Sequence, residues 1–231
     1  MDWHRVGANA RLKIFMSPQE IAVAVRNLLP AGGLFAGQQW RIATGAFGLE
    51  PAFARELDSL GRVLLQFYRT VNLLYRKSLE GHQPSWIARW LELGKAPEMI
   101  ALQRTPAFKN DVPRVIRPDI LLVEDGFRIS ELDSVPGGIG LTGWLNQVYS
   151  TVDGSRQIIG SPNGMVDGFG AIFGNARRAH IVVSDEAATY RPEMEWLAGL
   201  DSRLTVRDSG WEDFADGDAV YRFFELFDAA H

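Results

Sequence analysis

Residues 115–143 read VIRPDILLVEDGFRISELDSVPGGIGLTG and hold, in one stretch, two strand-like runs, a turn signal and a cluster of charges. Residues 119–123 and 127–133 have strand composition, and Asp125-Gly126 between them is a turn signal, so the two runs are expected to form a β-hairpin. Residues two apart on a strand share a face. Arg117 and Asp119 therefore project together from the first strand, and Glu131 and Asp133 from the second. Pro136-Gly137-Gly138 then turns the chain into a helix expected over residues 141–149.

The register decides whether the charges meet. A two-residue Asp125-Gly126 turn pairs Glu124 with Phe127, sets Ile120 opposite Glu131 and points Asp119 the other way. A three-residue loop from Glu124 to a left-handed Gly126 bulge pairs Val123 with Phe127 and Leu121 with Ile129. Asp119 then faces Glu131, and Arg117 faces Asp133. The second register is preferred because it also gathers Leu121, Val123, Phe127 and Ile129, giving one face that is apolar at the turn and charged at the open end.

Upstream, the chain reads as helical. Ser17-Pro18-Gln19-Glu20 combines an N-cap serine, a proline in the first turn and the glutamate of a capping box, so a helix is expected from there to about Leu29, broken by Pro30-Ala31-Gly32-Gly33. From Pro51, the residues Phe53, Leu57, Leu60, Leu64, Phe67, Val71 and Leu74 recur at helical spacing and are expected to face a core. A shorter helix over residues 85–93 carries Trp86 and Trp90 on one face, expected to pack against the long one. Downstream, a helix over 164–178, a strand over 180–184, a helix over 191–200 and strands over 203–206 and 219–221 suggest a small Rossmann-like layer. His180 is expected at a strand edge. The fold class is thus mixed α/β, in three segments: a mainly helical region (1–112), the hairpin, glycine turn and following helix (113–160), and the Rossmann-like region (161–231). Residues 153–164 are the best linker candidate.

Composition narrows the chemistry. The 231 residues are 46% hydrophobic with a formal charge of −4, enough to build a core and without the broad basic surface that nucleic acid requires. There is no cysteine, which removes disulfides, thiolate metal sites and a cysteine nucleophile. The four histidines lack zinc-ligand spacing. No signal-peptide core and no run approaching a membrane span is present, so a cytoplasmic protein without a membrane partner is expected. No serine sits in a nucleophile elbow, and Ser184-Asp185-Glu186 reads as a connection into the next helix.

Clustered carboxylates repel one another unless a cation neutralises them. Magnesium takes oxygen ligands and keeps substrate phosphates in its shell, and an arginine fork can hold a phosphate oxygen. The bland reading of the same residues is a surface ion pair between Arg117 and Asp133 beside a solvated Glu131. Gly138-Ile139-Gly140-Leu141-Thr142-Gly143 also satisfies the dinucleotide pattern GxGxxG between a strand and a helix. The strand before it is not apolar throughout, and no second strand with a terminal acid follows about 20 residues on. A nicotinamide-dependent enzyme is accordingly the third choice.

Arg117-Pro118-Asp119 followed by Ser130-Glu131-Leu132-Asp133-Ser134-Val135-Pro136 resembles the glutathionylspermidine synthase-like, circularly permuted ATP-grasp ligases. That family carries Arg-x-Asp on one strand and Glu-x-Asn on the next, followed by a small-residue and proline loop. The resemblance covers residues 114–142 and, more loosely, the region from His180 onward. It implies Asp119, Glu131 and Asp133 as magnesium ligands, with Asp133 in place of the usual Asn. It further implies Arg117 as a catalytic and ATP-phosphate contact, and Ser134, Val135, Pro136, Gly137 and Gly138 as the loop bordering an acyl substrate. The implied activity is ATP-dependent ligation of a small-molecule or peptide carboxylate to an amine through an acyl phosphate. The lysines of the family's nucleotide subdomain are not found before residues 221–228, read as an amphipathic helix that breaks off three residues before the end. The expectation is therefore the metal- and acyl-binding portion of such a ligase, completed by a missing C-terminal half or a partner chain. The alternative is a noncatalytic binding or partner module on the same scaffold.

Overall fold

A computed structural model describes residues 16–30, 41–154 and 156–225. The chain is mixed α/β, with a two-stranded antiparallel hairpin and a three-stranded parallel sheet. Residues 31–33 of the expected helix break, and the end of the expected C-terminal helix from residue 226 onward, lie outside the described residues.

Helix α1 (Pro18–Asn27) starts as its sequence dictates. The Ser17 Oγ accepts the Glu20 N–H at 3.3 Å, and the Glu20 carboxylate accepts the Ser17 N–H at 2.7 Å. Ile21 and Val25, one turn apart, pack with Trp144, Val148 and Tyr149 of α5 (Ile139–Val152) in a small core. The loop before α2 joins the same helix: the Tyr149 hydroxyl donates to the Ala43 carbonyl at 2.7 Å, and the Ala46 N–H donates to Asp153 at 3.2 Å. Asp153, in the expected linker, is thus a buried anchor.

Helix α2 (Pro51–Leu79) is 29 residues long, roughly 43 Å at 1.5 Å per residue. It is joined to α3 (Ser85–Glu92) through Ser78, whose hydroxyl donates to the Pro84 carbonyl at 2.7 Å and accepts the Ala88 N–H at 3.1 Å. Helix α4 (Pro97–Arg104) was not legible in the sequence. It is held by Glu92, which takes two Arg104 hydrogen bonds and one from the Tyr75 hydroxyl, all at 2.7 Å.

Two expectations for this region are corrected. The long stripe is only partly covered, with Leu64 buried but Phe67 52% exposed and Leu74 also exposed. Helix α3 turns Ala88 toward α2, and Trp86 and Trp90, half a helical turn away from Ala88, are exposed. The small Ala88 side chain permits the close approach that two indoles would prevent. Neither hydrophobic core contains a residue of α2, α3 or α4.

The larger core lies in the α/β layer. Strands β3 (Ala179–Val183), β4 (Leu204–Asp208) and β5 (Ala219–Phe223) run parallel in the order β4-β3-β5. Helix α7 (Arg191–Leu200) links β3 to β4, and its buried Met194 and Leu197 meet Ile181 and Val183. Every residue of β3 is buried, as an apolar central strand covered on both faces should be. His180 is therefore not at an edge. Helix α6 (Gly164–Ala171) stops short of the expected residue 178, because Gly168 and Gly170 weaken it and Gly174 turns left-handed at φ 55°. Residues 221–223 belong to β5, correcting the helix expected to begin there.

Candidate functional site

Strands β1 (Arg117–Val123) and β2 (Gly126–Asp133) form the expected hairpin. At its open end Arg117 lies opposite Asp133 and Asp119 opposite Glu131, as preferred from the sequence. The route differs. Val123 pairs with Gly126, Leu122 with Phe127 and Ile120 with Ile129, and the register shifts between Asp119 and Ile120, leaving Ser130 as the extra residue. The bulge is thus in mid-strand and not at Gly126. Its consequence is that Leu121 and Val123 share the Arg117 face with Arg128, whereas Phe127 and Ile129 lie on the other face with Ile120 and Leu122. The reason is packing: Phe127 meets Phe53 of α2 with ring centroids 5.6 Å apart.

Arg117 is the centre of the charged face. Its Nε donates to Asp119 Oδ1 at 3.0 Å, its NH2 lies 3.2 Å from Asp133 Oδ2, and its NH1 donates to the Gly137 carbonyl at 3.4 Å. Asp133 also accepts the Val135 N–H at 2.8 Å, which bends the chain into the loop. Glu131 is exposed. Two of the three acids therefore sit on Arg117, and among the described residues no group of three His, Asp or Glu side chains is gathered as a metal site. The three carboxylates remain hard oxygen donors on one edge, with Asp119 and Asp133 on the Arg117 guanidinium.

The loop from Ser134 to Gly138 is fixed by contacts from other elements. The Ser134 hydroxyl lies 3.3 Å from the Tyr68 hydroxyl of α2, and Pro136 is fully buried. A Cβ on Gly137 would stand 2.3 Å from the Tyr190 ring. Tyr190 lies on the connection that leaves β3, and its ring meets Phe223, the last residue of β5, at 5.6 Å. The glycine loop thus borders the carboxyl ends of β3 and β5, the end of a parallel sheet where ligands gather. A cavity of about 460 Å³ near Asp201 and Arg203 opens instead beside Leu204, at the amino end of β4.

The GxGxxG glycines have a different use. Gly138, at φ 88°, begins α5, and the buried Glu193 of α7 accepts the N–H groups of Gly138 at 3.2 Å and Leu141 at 3.0 Å. A Cβ on Gly140 would lie 2.6 Å from the Glu193 carbonyl oxygen. The N-terminus of α5, where a dinucleotide phosphate would bind, is occupied by a carboxylate of the protein itself.

Tyr68, Tyr190, Glu193 and Tyr221 were missed by sequence reasoning. Tyr221 of β5 has a buried hydroxyl without a hydrogen-bond partner among the described residues. Burial pushes its phenol well above the usual tyrosine range, and the Asp133 charge adds to the shift. Glu193 carried one weak signal, an acid in the first turn of α7, but that pattern normally serves its own helix. His180 is hydrogen-bonded on both ring nitrogens, to Asp218 at 3.0 Å and from Arg207 at 3.2 Å. As guanidinium only donates, Nδ1 is the acceptor and Nε2 carries the proton toward Asp218, which makes a clamp between strands and not a catalytic base. Ser184 is buried, accepting the Ala187 N–H at 3.3 Å, and Asp185 and Glu186 are exposed on the connection, as expected.

No helix among the described residues is long and apolar enough to cross a membrane. Compared with known proteins, the chain matches no family model and no curated sequence.

Proposed function

We propose that the hairpin and glycine loop are the metal- and acyl-substrate-binding portion of an ATP-dependent carboxylate-amine ligase. The observation that carries the reading is the cross-strand placement of Arg117 and Asp119 against Glu131 and Asp133, beside a loop whose Gly137 carbonyl Arg117 reaches. Asp119, Glu131 and Asp133 offer only carboxylate oxygens, the donor set that suits magnesium. Magnesium bound there would neutralise phosphate charge as the acyl phosphate forms. Arg117, relieved of balancing two acids, would hold a phosphate oxygen through its planar fork. The loop from Ser134 to Gly138, pinned by Tyr68 and Tyr190, would border the acyl group.

The test is titration calorimetry with Mg²⁺ alone and with Mg²⁺ and ATP. The wild-type chain is expected to give a saturable heat that Asp119→Ala and Glu131→Ala both abolish. If wild type and both variants titrate alike under the two conditions, the reading is rejected. A noncatalytic partner module is the second reading, favoured by one observation: the apolar residues of α2 and α3 left exposed on the helical arm.

A further inference from the structure

Helix α2 carries two adjoining apolar rows, and among the described residues only one is turned toward the rest of the protein. Leu57, Leu64, Tyr68, Val71, Tyr75 and Ser78 form the row turned toward the protein, containing all three buried residues of the helix. The neighbouring row is Glu56, Leu60, Val63, Phe67, Thr70, Leu74 and Lys77. Its spacing alternates four and three residues over three heptads, the seam of a two-helix coiled coil. Val63 is 59% exposed, and Phe67 and Leu74 are exposed with it.

We infer that this second row is the self-association surface of the chain, pairing α2 antiparallel with α2 of a second copy. Charge decides both the partner and its direction. The row ends in a carboxylate, Glu56, and an ammonium, Lys77. Parallel pairing would set Glu56 against Glu56 and Lys77 against Lys77. Antiparallel pairing brings each Glu56 to the Lys77 end of the other helix, twice by symmetry, with Val63, Phe67 and Thr70 meeting around the dyad. Lys77 already contacts Glu80 at 3.0 Å in an exposed pair, which costs little to exchange. The row spans roughly 30 Å of helix, a length over which two helices can meet along their whole seam. The proposal is independent of the ligase reading, since magnesium titration does not report on it.

The chain has no cysteine, so introduced thiols report cleanly. Sedimentation equilibrium of the full chain is expected to show a reversible dimer. Gln66→Cys, near the dyad, should form a disulfide-linked dimer under mild oxidation. Glu56→Cys and Lys77→Cys should not cross-link alone but should when mixed. Phe67→Glu, at an exposed position, should give a monomer with unchanged circular dichroism. Glu56→Lys should weaken the dimer by about tenfold or more, with Lys77→Glu added to it restoring association. A monomer at all concentrations overturns the proposal, as does a dimer indifferent to Phe67→Glu or self-cross-linking of Glu56→Cys by itself. Binding of this row to some other chain would appear as the monomeric outcome and counts against it.

Discussion

Replacing Glu193 should damage the junction of α5 and α7 more than any surface acid would. Its carboxylate takes two N–H groups of the first turn of α5, at 3.2 and 3.0 Å, from a buried position. In Glu193→Ala both donors lose their acceptor and the helix dipole loses its counter-charge. A lost cap costs about 0.5–2 kcal/mol, and a charged hydrogen bond about 1.5–3. These overlap, because the same two bonds are counted in both. The expected loss is roughly 2–4 kcal/mol, which for a chain of this size lowers the melting temperature by roughly 4–16 °C. Glu193→Gln keeps one acceptor oxygen but not the charge, and should lose about half as much. Urea and thermal denaturation measure both, and hydrogen exchange should show faster exchange at the Gly138 and Leu141 amides. Glu195→Ala, an exposed acid on the same helix, is the control and should fall within about 0.5 kcal/mol of wild type. Glu193→Ala as stable as that control, or Glu193→Gln no better than Glu193→Ala, would refute this capping role.

Gly140→Ala should destabilise by at least about 2 kcal/mol in the same assay, because the added Cβ meets the backbone of Glu193 at 2.6 Å and backbone cannot rotate away; a neutral result would contradict the close packing of α5 on α7. Tyr221→Phe removes a buried hydroxyl without a partner among the described residues and should leave stability unchanged or raise it by up to about 1 kcal/mol; a clear loss in urea denaturation would mean that the hydroxyl is hydrogen-bonded. Hydrogen bonds from Arg178, and then from the Ala215 N–H and His180, hold the Asp218 carboxyl below the usual carboxylate range. Its folded pKa is depressed, so its contribution is present above the unfolded value near 4 and is lost as pH falls through the folded value. Asp218→Asn should therefore be less stable than wild type at neutral pH, with the gap closing in acid below about pH 4; a gap that is constant with pH would refute the linkage.

Legibility in the sequence followed the range of each interaction. The capping box of α1 and the cross-strand partners Asp119 with Glu131 were readable because turn chemistry and side-chain alternation act over a few residues. The mid-strand bulge was not, since Ser130 is displaced to bring Phe127 against Phe53, a residue more than seventy positions earlier. The turn at Pro136-Gly137-Gly138 is legible from its composition, but what packs against the glycines, Tyr190 and Glu193, lies over fifty positions away. The α2 stripe was found, while its covered and open halves could not be distinguished by a period shared by both.

Periodicity and local turn chemistry suffice for the α/β class, for most of the elements though not α4 or the whole of β5, and for the four charged residues that the hairpin brings to one edge. Long-range packing sets the rest: Arg117 sits on two of the three acids, α5 begins on a buried carboxylate from another helix, and Val63, Phe67 and Leu74 of α2 face outward. Each of these depends on which distant side chain fills a given space, and packing is settled only when the elements meet.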